Sequence, residues 1–291
     1  MFKGFSRSVI GASHIKKGIV CQDSSDYKIG NGYAVSVVAD GHGSKKHFRS
    51  HIGSACAVES AIETIEKFYE NRERLEKELP ENHDMIIHNI EKQIVAVWHK
   101  KIMKHFADNP VTEEEKEPFT EEEFSKIAVE SYYGTTLVTA VTDEKFTFGF
   151  QIGDGSLVAV FEDGTTAMLM DYEESNPANI TASICSKNSA SMFSRFFVDN
   201  KKVIAVFVST DGLYTSFGRD SDFLDYHTII AGQLCDIDAF ETSVVKNITK
   251  RTHFGTEDDI SLSCIYNSEL ATEKSGLLKE KIAEKRKKTV K

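Results

Sequence analysis

Four aspartates stand beside short apolar runs that are typical of buried strands, and they constrain this chain more than any other feature. A strand end can hold a carboxylate rigidly, and a following glycine lets backbone and water approach it closely. Carboxylate oxygens suit Mg²⁺ or Mn²⁺, so the pattern indicates a carboxylate metal centre and metal-assisted hydrolysis. Taken singly, each aspartate is equally explained as a turn or a helix cap. The four are Asp23 in Cys21-Gln22-Asp23-Ser24, Asp40 in Ala39-Asp40-Gly41-His42-Gly43, Asp211 in Ser209-Thr210-Asp211-Gly212 and Asp258 in Glu257-Asp258-Asp259-Ile260.

Length and charge indicate one catalytic domain, residues 1–267, followed by a basic tail, residues 268–291. The chain has 291 residues, of which 40% are hydrophobic, which is ample material for a core. Its formal charge is −10, yet the tail has eight Lys and Arg against four Glu, so the domain itself is strongly acidic. Such a body is not expected to bind nucleic acid broadly. For the tail we expect a solvated charged segment.

The cysteines and the apolar segments bear on the compartment. The five cysteines are scattered and include no C-x-x-C pair, which argues against a disulfide framework and against a structural zinc site. A reducing, cytoplasmic setting is therefore expected. Nowhere do about 20 apolar residues follow one another, so no transmembrane segment is predicted.

The order of residue patterns predicts strands, then helices, then strands again. Apolar residues recur at helical spacing from Ala55 to Tyr69 and, after Pro80, from Ile86 to Trp98, which predicts two long amphipathic helices packed on a sheet. Residues 171–199 are polar and too long for an ordinary connection, which predicts a functional flap. The stretch 223–253 reads as helical. Strands are predicted at Tyr33–Ala39, at Thr136–Thr142, Phe146–Ile152, Leu157–Phe161 and Thr166–Met170 as one antiparallel meander, at Val203–Val208 and at Ile260–Tyr266.

Six short motifs occur in the order found in a known family. They are Gln22-Asp23-Ser24, Asp40-Gly41-His42-Gly43-Ser44, Gly134-Thr135-Thr136, Ile152-Gly153-Asp154-Gly155, Ser209-Thr210-Asp211-Gly212-Leu213 and Asp258-Asp259-Ile260-Ser261. In this order they resemble the metal-dependent type 2C Ser/Thr protein phosphatases, and Gly11-Ala12-Ser13-His14 points to a bacterial-type branch. The resemblance implies an α+β fold, a four-layer α-β-β-α sandwich of two antiparallel β-sheets flanked by helices.

The resemblance also implies a set of metal ligands. Asp23, Asp40 and the carbonyl group of Gly41 would hold two ions of Mg²⁺ or Mn²⁺, and Asp211 and Asp258 would complete one of the two shells. In the family, the two metals activate a water molecule that attacks phosphorus directly. The position of Asp154 matches an aspartate associated with a third metal, although a plain turn explains this residue as well. Thr215 stands where an aspartate would help that third site, so its occupancy is left open.

Two histidines are the remaining candidates. By the resemblance, His42 is the general acid that protonates the departing Ser or Thr oxygen, and its unperturbed pKa near 6.5 suits that role. The alternative is a hydrogen bond from His42 to metal-bound water. Where many animal members have a phosphate-binding arginine, this chain has Gly18, so another donor must bind substrate phosphate. His14 is the first choice, and the nearby cations are alternatives: Lys16, Lys17, Lys45, Lys46 and Arg49.

The leading expectation is therefore a phosphatase of phosphoserine and phosphothreonine in proteins, whose partners are phosphorylated substrates and a Ser/Thr kinase counterpart. A catalytically silent relative that binds phosphoproteins is a second reading, but such relatives usually lack a metal carboxylate, and all four are present here. A metal-dependent phosphatase of a small metabolite is a third. A panel of substrates separates the third reading from the first.

Overall fold

A computed structural model describes residues 1–170 and 182–289 of the chain, with side chains described as far as residue 285. Within these residues the chain forms ten strands and ten helices, numbered here in chain order. The strands are β1 (Phe2–Val9), β2 (Ser24–Ile29), β3 (Tyr33–Ala39), β4 (Leu137–Asp143), β5 (Thr147–Ile152), β6 (Ser156–Phe161), β7 (Thr166–Met168), β8 (Ser194–Val198), β9 (Val203–Ser209) and β10 (Ile260–Asn267). The helices are α1 (Ala12–Lys17), α2 (Ser50–Tyr69), α3 (Arg72–Asp108), α4 (Glu113–Lys116), α5 (Glu121–Ser125), α6 (Val129–Tyr132), α7 (Asp211–Tyr214), α8 (Asp220–Ala231), α9 (Ile237–Phe254) and α10 (Ser268–Thr289).

The strands build two antiparallel sheets of five strands each. The first sheet has the order β1-β10-β9-β6-β7 and the second has the order β2-β3-β4-β5-β8. Helices α2 and α3 cover the second sheet, whereas α8, α9 and α10 cover the first. The predicted four-layer sandwich and its α+β class are confirmed.

Both faces of the central strands are buried, which explains why their sequences are continuous apolar runs. In β3, Val35 and Val37 pack against the helices α2 and α3, while Ala34 and Val38 pack between the two sheets. All seven residues of β3 are buried. A strand enclosed in this way is apolar at every position instead of alternating. The apolar run therefore identifies β3 as a buried strand, but it does not show which layer each face of the strand contacts.

The predicted meander is wrong at one point, because the chain changes sheets between β5 and β6. Strands β4 and β5 pair in the second sheet, and β6 and β7 pair in the first. The crossing occurs at Gly153-Asp154-Gly155, where Gly153 has φ +105° and a side chain would lie 2.5 Å from Thr136 Cγ2. Only glycine fits that conformation and that close approach. Because β5 and β6 are buried on both faces, the sequence pattern did not show which sheet each one joins.

Two other expectations differ from the structure. Of the predicted flap 171–199, residues 171–181 lie outside the described part of the chain. The described remainder includes β8, which pairs with the edge of β5 and is therefore part of the second sheet. In the predicted solvated tail, α10 begins directly after β10, and its Ala271 and Leu278 are fully buried against the first-sheet core. Their seven-residue spacing puts them on one helix face.

Helix α3 spans 37 residues and contains Pro80. Asn82 has non-helical angles of φ −131° and ψ 28°, so the helix is kinked next to the proline, as expected where a backbone hydrogen bond is lost. Among the helices of the described residues, none combines the length and the apolar character needed to cross a membrane.

Candidate metal centre

The ends of strands from both sheets meet at one edge of the sandwich. Asp40 follows β3 and Asp23 precedes β2, and the two strands pair so that Ala39 lies opposite Ser24. Asp211 follows β9 and Asp258 precedes β10, which pairs with β9. The hydroxyl group of Thr210 joins the two sheets by donating to Asp23 Oδ2 at 2.8 Å. The sequence-predicted aspartates are thus brought to one edge.

Three of these carboxyl groups lie close to one another, with Asp23 buried and Asp40 and Asp211 half-buried. Burial, then the charges of Asp259 and Asp211, raise the pKa of Asp23 well above its usual range, and the Thr210 hydrogen bond opposes this shift. Burial, then the charges of Asp23 and Asp211, raise the pKa of Asp40 well above its usual range. Burial, followed by the charge of Asp154, raises the pKa of Asp211 to about 6. Asp154 therefore lies within electrostatic reach of Asp211.

The donor set fits divalent cations. The charges that act on Asp23, Asp40 and Asp211 all come from other carboxylates, and Asp211 Oδ1 is buried without a hydrogen-bond partner. Buried charges of one sign are costly unless a counter-charge neutralises them. Oxygen donors select Mg²⁺ or Mn²⁺, and Mg²⁺ typically keeps several waters and takes few protein ligands.

The candidate ligands share one edge of the sandwich without forming a tight cluster. In the described part of the chain, no group of three or more His, Cys, Asp or Glu side chains has converged as a metal cluster does. The carboxyl groups of Asp40 and Asp211 lie close enough for each to shift the pKa of the other. Any proton that such a pair holds must be lost when a cation binds. The candidate carboxylate ligands are therefore gathered at one edge of the sandwich.

The turn after β3 is held by the Gly134-Thr135-Thr136 motif. The Asp40 carbonyl group accepts from the Thr136 N–H at 2.8 Å and from Thr135 Oγ1 at 2.7 Å. A side chain at Gly41 would lie 2.5 Å from the carbonyl oxygen of Gln22, so only glycine allows this approach. The sequence analysis identified this motif but not its contact with Asp40, because Asp40 lies about a hundred residues earlier in the chain.

His42 lies beside this turn and is partly buried. Its N–H donates to the Gly134 carbonyl group at 3.1 Å, and its ring centre lies 5.0 Å from that of His47. Burial and, to a smaller extent, the charge of Lys46 lower the pKa of His42 to about 4. The unbound protein therefore holds His42 neutral at pH 7. A phosphate dianion bound nearby would oppose both causes, because a negative charge favours the imidazolium form.

Asp259 has a structural role that the sequence reading missed. It is buried and accepts the backbone N–H groups of Gly11 and Gln22, both at 2.7 Å. His14 Nδ1 lies 3.0 Å from Asp259 Oδ1, so one ring nitrogen of His14 faces this carboxylate. Asp259 thus fixes the start of α1 and the residue before Asp23. No local signal reveals this role, because its partners are more than 200 residues away.

Arg49 anchors the loop that follows His42. Its guanidinium group is buried and donates to both carboxylate oxygens of Glu115, at 2.7 and 2.8 Å. The remaining donors bind Tyr133 Oη at 3.1 Å and the carbonyl groups of Asn109 at 2.8 Å and Pro110 at 3.2 Å. All five N–H groups are occupied, which is the full capacity of an arginine. Arg49 is therefore a structural anchor that holds α4 against the loop.

Comparisons with known proteins identify relatives of this fold. A family model described as "Protein phosphatase 2C" matches residues 10–241. The serine/threonine phosphatase Stp1 of Staphylococcus aureus superposes with a TM-score of 0.58 at 14% identity, covering 92% of this chain and 95% of that one. A bacterial serine phosphatase superposes with a TM-score of 0.58 at 13% identity, covering 91% and 98%. PppA, described as a regulatory component of T6SS in Pseudomonas aeruginosa, gives 0.54 at 15% identity, covering 91% and 97%. These structures share the fold, whereas no curated protein matches the chain.

Proposed function

The chain belongs to the protein phosphatase 2C family and is a phosphoprotein phosphatase; from this premise we propose that it hydrolyses phosphoserine and phosphothreonine in proteins with two divalent cations, Mg²⁺ or Mn²⁺. The observation that carries the proposal is the group of buried and half-buried carboxylates Asp23, Asp40 and Asp211, on which the largest charge effects come from other carboxylates. Asp211 Oδ1, buried without a hydrogen-bond partner, is a free ligand atom at the same place.

The ligands we propose are those of the family pattern. Asp23, Asp40 and the Gly41 carbonyl group would hold the pair of ions, with Asp211 and Asp258 on one of them. Bound ions would supply a water nucleophile at neutral pH and would neutralise charge on the phosphate oxygens. Thr210 orients Asp23 by its hydrogen bond, and the Thr135-Thr136 pair fixes Asp40. Asp154, within electrostatic reach of Asp211, is proposed for a third ion.

His42 is proposed as the general acid for the leaving oxygen. Its backbone N–H is bound by the Gly134 carbonyl group and its ring lies against His47, so His42 is held in the turn that directly follows Asp40. Proton donation to a departing Ser or Thr oxygen is worth about 10²–10⁴-fold, since an alkoxide is a poor leaving group. His14 remains the predicted contact for substrate phosphate, although one of its ring nitrogens faces Asp259.

The proposed substrates are phosphorylated proteins, and a Ser/Thr kinase that supplies them is the expected counterpart. The predicted cytoplasmic setting remains a proposal, which is consistent with five free cysteines at positions 21, 56, 185, 235 and 264.

The proposal is tested by turnover of a phosphothreonine peptide and of p-nitrophenyl phosphate with Mn²⁺, Mg²⁺ or EDTA. We expect metal-dependent hydrolysis that falls about 100-fold or more in Asp40→Asn and in Asp211→Asn, because each change removes a charged ligand. The matched control is Asp163→Asn, another aspartate before a glycine, which lies in the β6–β7 turn. It should retain wild-type activity.

Each contrary result has a definite meaning. Absence of turnover with every metal, in a folded protein that binds Mn²⁺, would refute the enzymatic proposal and favour a phosphoprotein-binding role. Turnover of small phosphorylated metabolites without turnover of phosphopeptides would instead support a metabolite phosphatase.

A further inference from the structure

A phosphate monoester dianion needs cationic donors beside the proposed ions, and the chain offers five Lys or Arg near the site. Two lie on α1, and three lie in the loop that links His42 to α2. Because a side chain already paired in the structure must give up its partner to bind phosphate, the existing contacts discriminate between them. The five are Lys16, Lys17, Lys45, Lys46 and Arg49.

Three of the five are engaged elsewhere. Arg49 is buried and all of its N–H groups are occupied. Lys16 Nζ lies 2.9 Å from Glu257 Oε1. Lys45 Nζ lies 3.6 Å from Glu123 Oε1 and 5.0 Å from the centre of the Phe119 ring, so its side chain is directed towards α5.

The side chain of Lys46 points in a different direction from the side chains of Lys45 and His47. It is exposed, and it forms no ion pair with any residue in the described part of the chain. Residues 45–47 form a 3₁₀ turn, in which successive side chains point about 120° apart. Lys45 points to α5 and His47 lies against His42 and Gly134, so Lys46 takes the third direction.

The 3₁₀ turn that carries Lys46 packs against Gly134, because a side chain at Gly134 would meet the rings of His47 and His42. The charge of Lys46 also acts on His42, His47 and Cys185. Cys185 follows Ile184, whose N–H donates to the Thr135 carbonyl group at 3.0 Å, and Thr135 Oγ1 in turn donates to the Asp40 carbonyl group. The turn that carries Lys46 therefore lies next to the segment that positions Asp40 and His42. Lys17, also exposed, is at the end of α1 and not on this turn.

We propose that Lys46 binds the phosphate group of the substrate, in the role for which the chain has no arginine at Gly18. The inference rests on the proposed phosphatase activity. An ammonium on a flexible four-carbon stem can follow the phosphate as a point charge, which suits an exposed residue at the rim of a site. His14, the other predicted phosphate contact, has one ring nitrogen facing Asp259.

The test compares Lys46→Gln with Lys46→Arg, and with Lys45→Gln as the matched control one residue away. Two quantities are measured on the Mn²⁺-loaded full chain: kcat/KM for a phosphothreonine peptide, and the dissociation constant of inorganic phosphate by calorimetry. We expect Lys46→Gln to weaken phosphate binding and lower kcat/KM by about ten- to a hundredfold, the worth of a charged hydrogen bond. Lys46→Arg should keep most of the phosphate affinity and most of kcat/KM. Lys45→Gln should match the wild type within about twofold in both quantities.

Mn²⁺ affinity and the circular dichroism spectrum should be unchanged in all three variants, which separates lost phosphate contact from lost fold or lost metal. Equal phosphate affinity in Lys46→Gln and wild type would overturn the proposal, and weakened affinity in His14→Gln instead would give the role to His14. If the wild type hydrolyses nothing, the proposed function fails, yet the phosphate titration still decides on Lys46. A wild type that binds no phosphate would also overturn it.

Discussion

At the scale of single residues, the site depends on short polar side chains whose partners are remote in sequence. The Thr210 hydroxyl donates to Asp23 and accepts the Ser261 N–H at 2.9 Å. This single oxygen atom therefore links both sheets to Asp23, a candidate metal ligand. The aspartates themselves could be predicted, because each stands beside a recognisable strand. The roles of Thr210 and Asp259 could not, because a hydroxyl or carboxylate gives no sequence signal of a partner brought near only by folding.

The state of His42 leads to a prediction about leaving groups. In His42→Gln, hydrolysis of a phosphothreonine peptide should fall about 100-fold, whereas p-nitrophenyl phosphate should lose much less, because p-nitrophenolate leaves without a proton. The measurement is kcat for both substrates at saturating Mn²⁺. His99→Phe, a half-exposed histidine on α3, serves as the control and should leave both values unchanged. An equal fall for both substrates would contradict the acid role and would fit a hydrogen bond to metal-bound water.

At the scale of elements, each helix layer is fixed to its sheet by apolar contacts with few polar exceptions. His227 on α8 is the clearest exception: it is fully buried, with its ring against Phe207 of β9 and Phe223 of α8. Its Nδ1 is 2.8 Å from the Phe223 carbonyl group, while Nε2 is buried without a partner. Such helix faces could be located from the 3.6-residue period. The assignment of β5 and β6 to different sheets could not, because strands buried on both faces show no alternation.

His227 should make the stability of the protein depend on pH. Burial lowers the pKa of His227 to about 4, so between pH 6.5 and 4 the unfolded chain binds a proton that the folded chain does not. The free energy of unfolding must therefore fall as pH falls through this window. Removing the group in His227→Phe should reduce that fall by about 2 kcal/mol between pH 7 and pH 5.

Urea unfolding at pH 7, 6 and 5, with the wild type alongside, measures this difference. The half-exposed His99, changed to Phe, is the control and should leave the slope as it is. Parallel curves for His227→Phe and the wild type would show that His227 is protonated equally in the folded and unfolded chains.

At the scale of the whole molecule, the proposed metal centre lies where the two sheets meet. Asp40 and Asp23 flank strands of the second sheet, whereas Asp211 and Asp258 flank strands of the first. Like charges gathered at this junction oppose the docking of the sheets until a cation neutralises them. The stability of the sandwich and the occupancy of the site should therefore be linked.

This linkage predicts opposite effects of one substitution with and without metal. In EDTA, Asp40→Asn should raise Tm above that of the wild type, because it removes one of the acidic groups that repel one another. Mn²⁺ at about 100 times its dissociation constant should raise the free energy of unfolding of the wild type by about 2.7 kcal/mol. The same Mn²⁺ concentration should raise that of Asp40→Asn by much less. Thermal unfolding followed by circular dichroism, with Asp163→Asn as control, measures both effects. A lower Tm for Asp40→Asn in EDTA would contradict the claim that these charges repel one another.

The pairing of β1 with β10 has a consequence for synthesis of the protein. Phe2 lies opposite Asn267, and the Ser268 N–H donates to the Met1 carbonyl group at 3.0 Å, so the first sheet is completed by a strand near each end of the chain. β10 lies between β1 and β9, and Asp258 and Asp259 immediately precede it. During translation, β1 cannot pair until β10 has been synthesised about 250 residues later, and such distant pairing is slow. The nascent chain therefore has no complete proposed metal centre until β10 has left the ribosome.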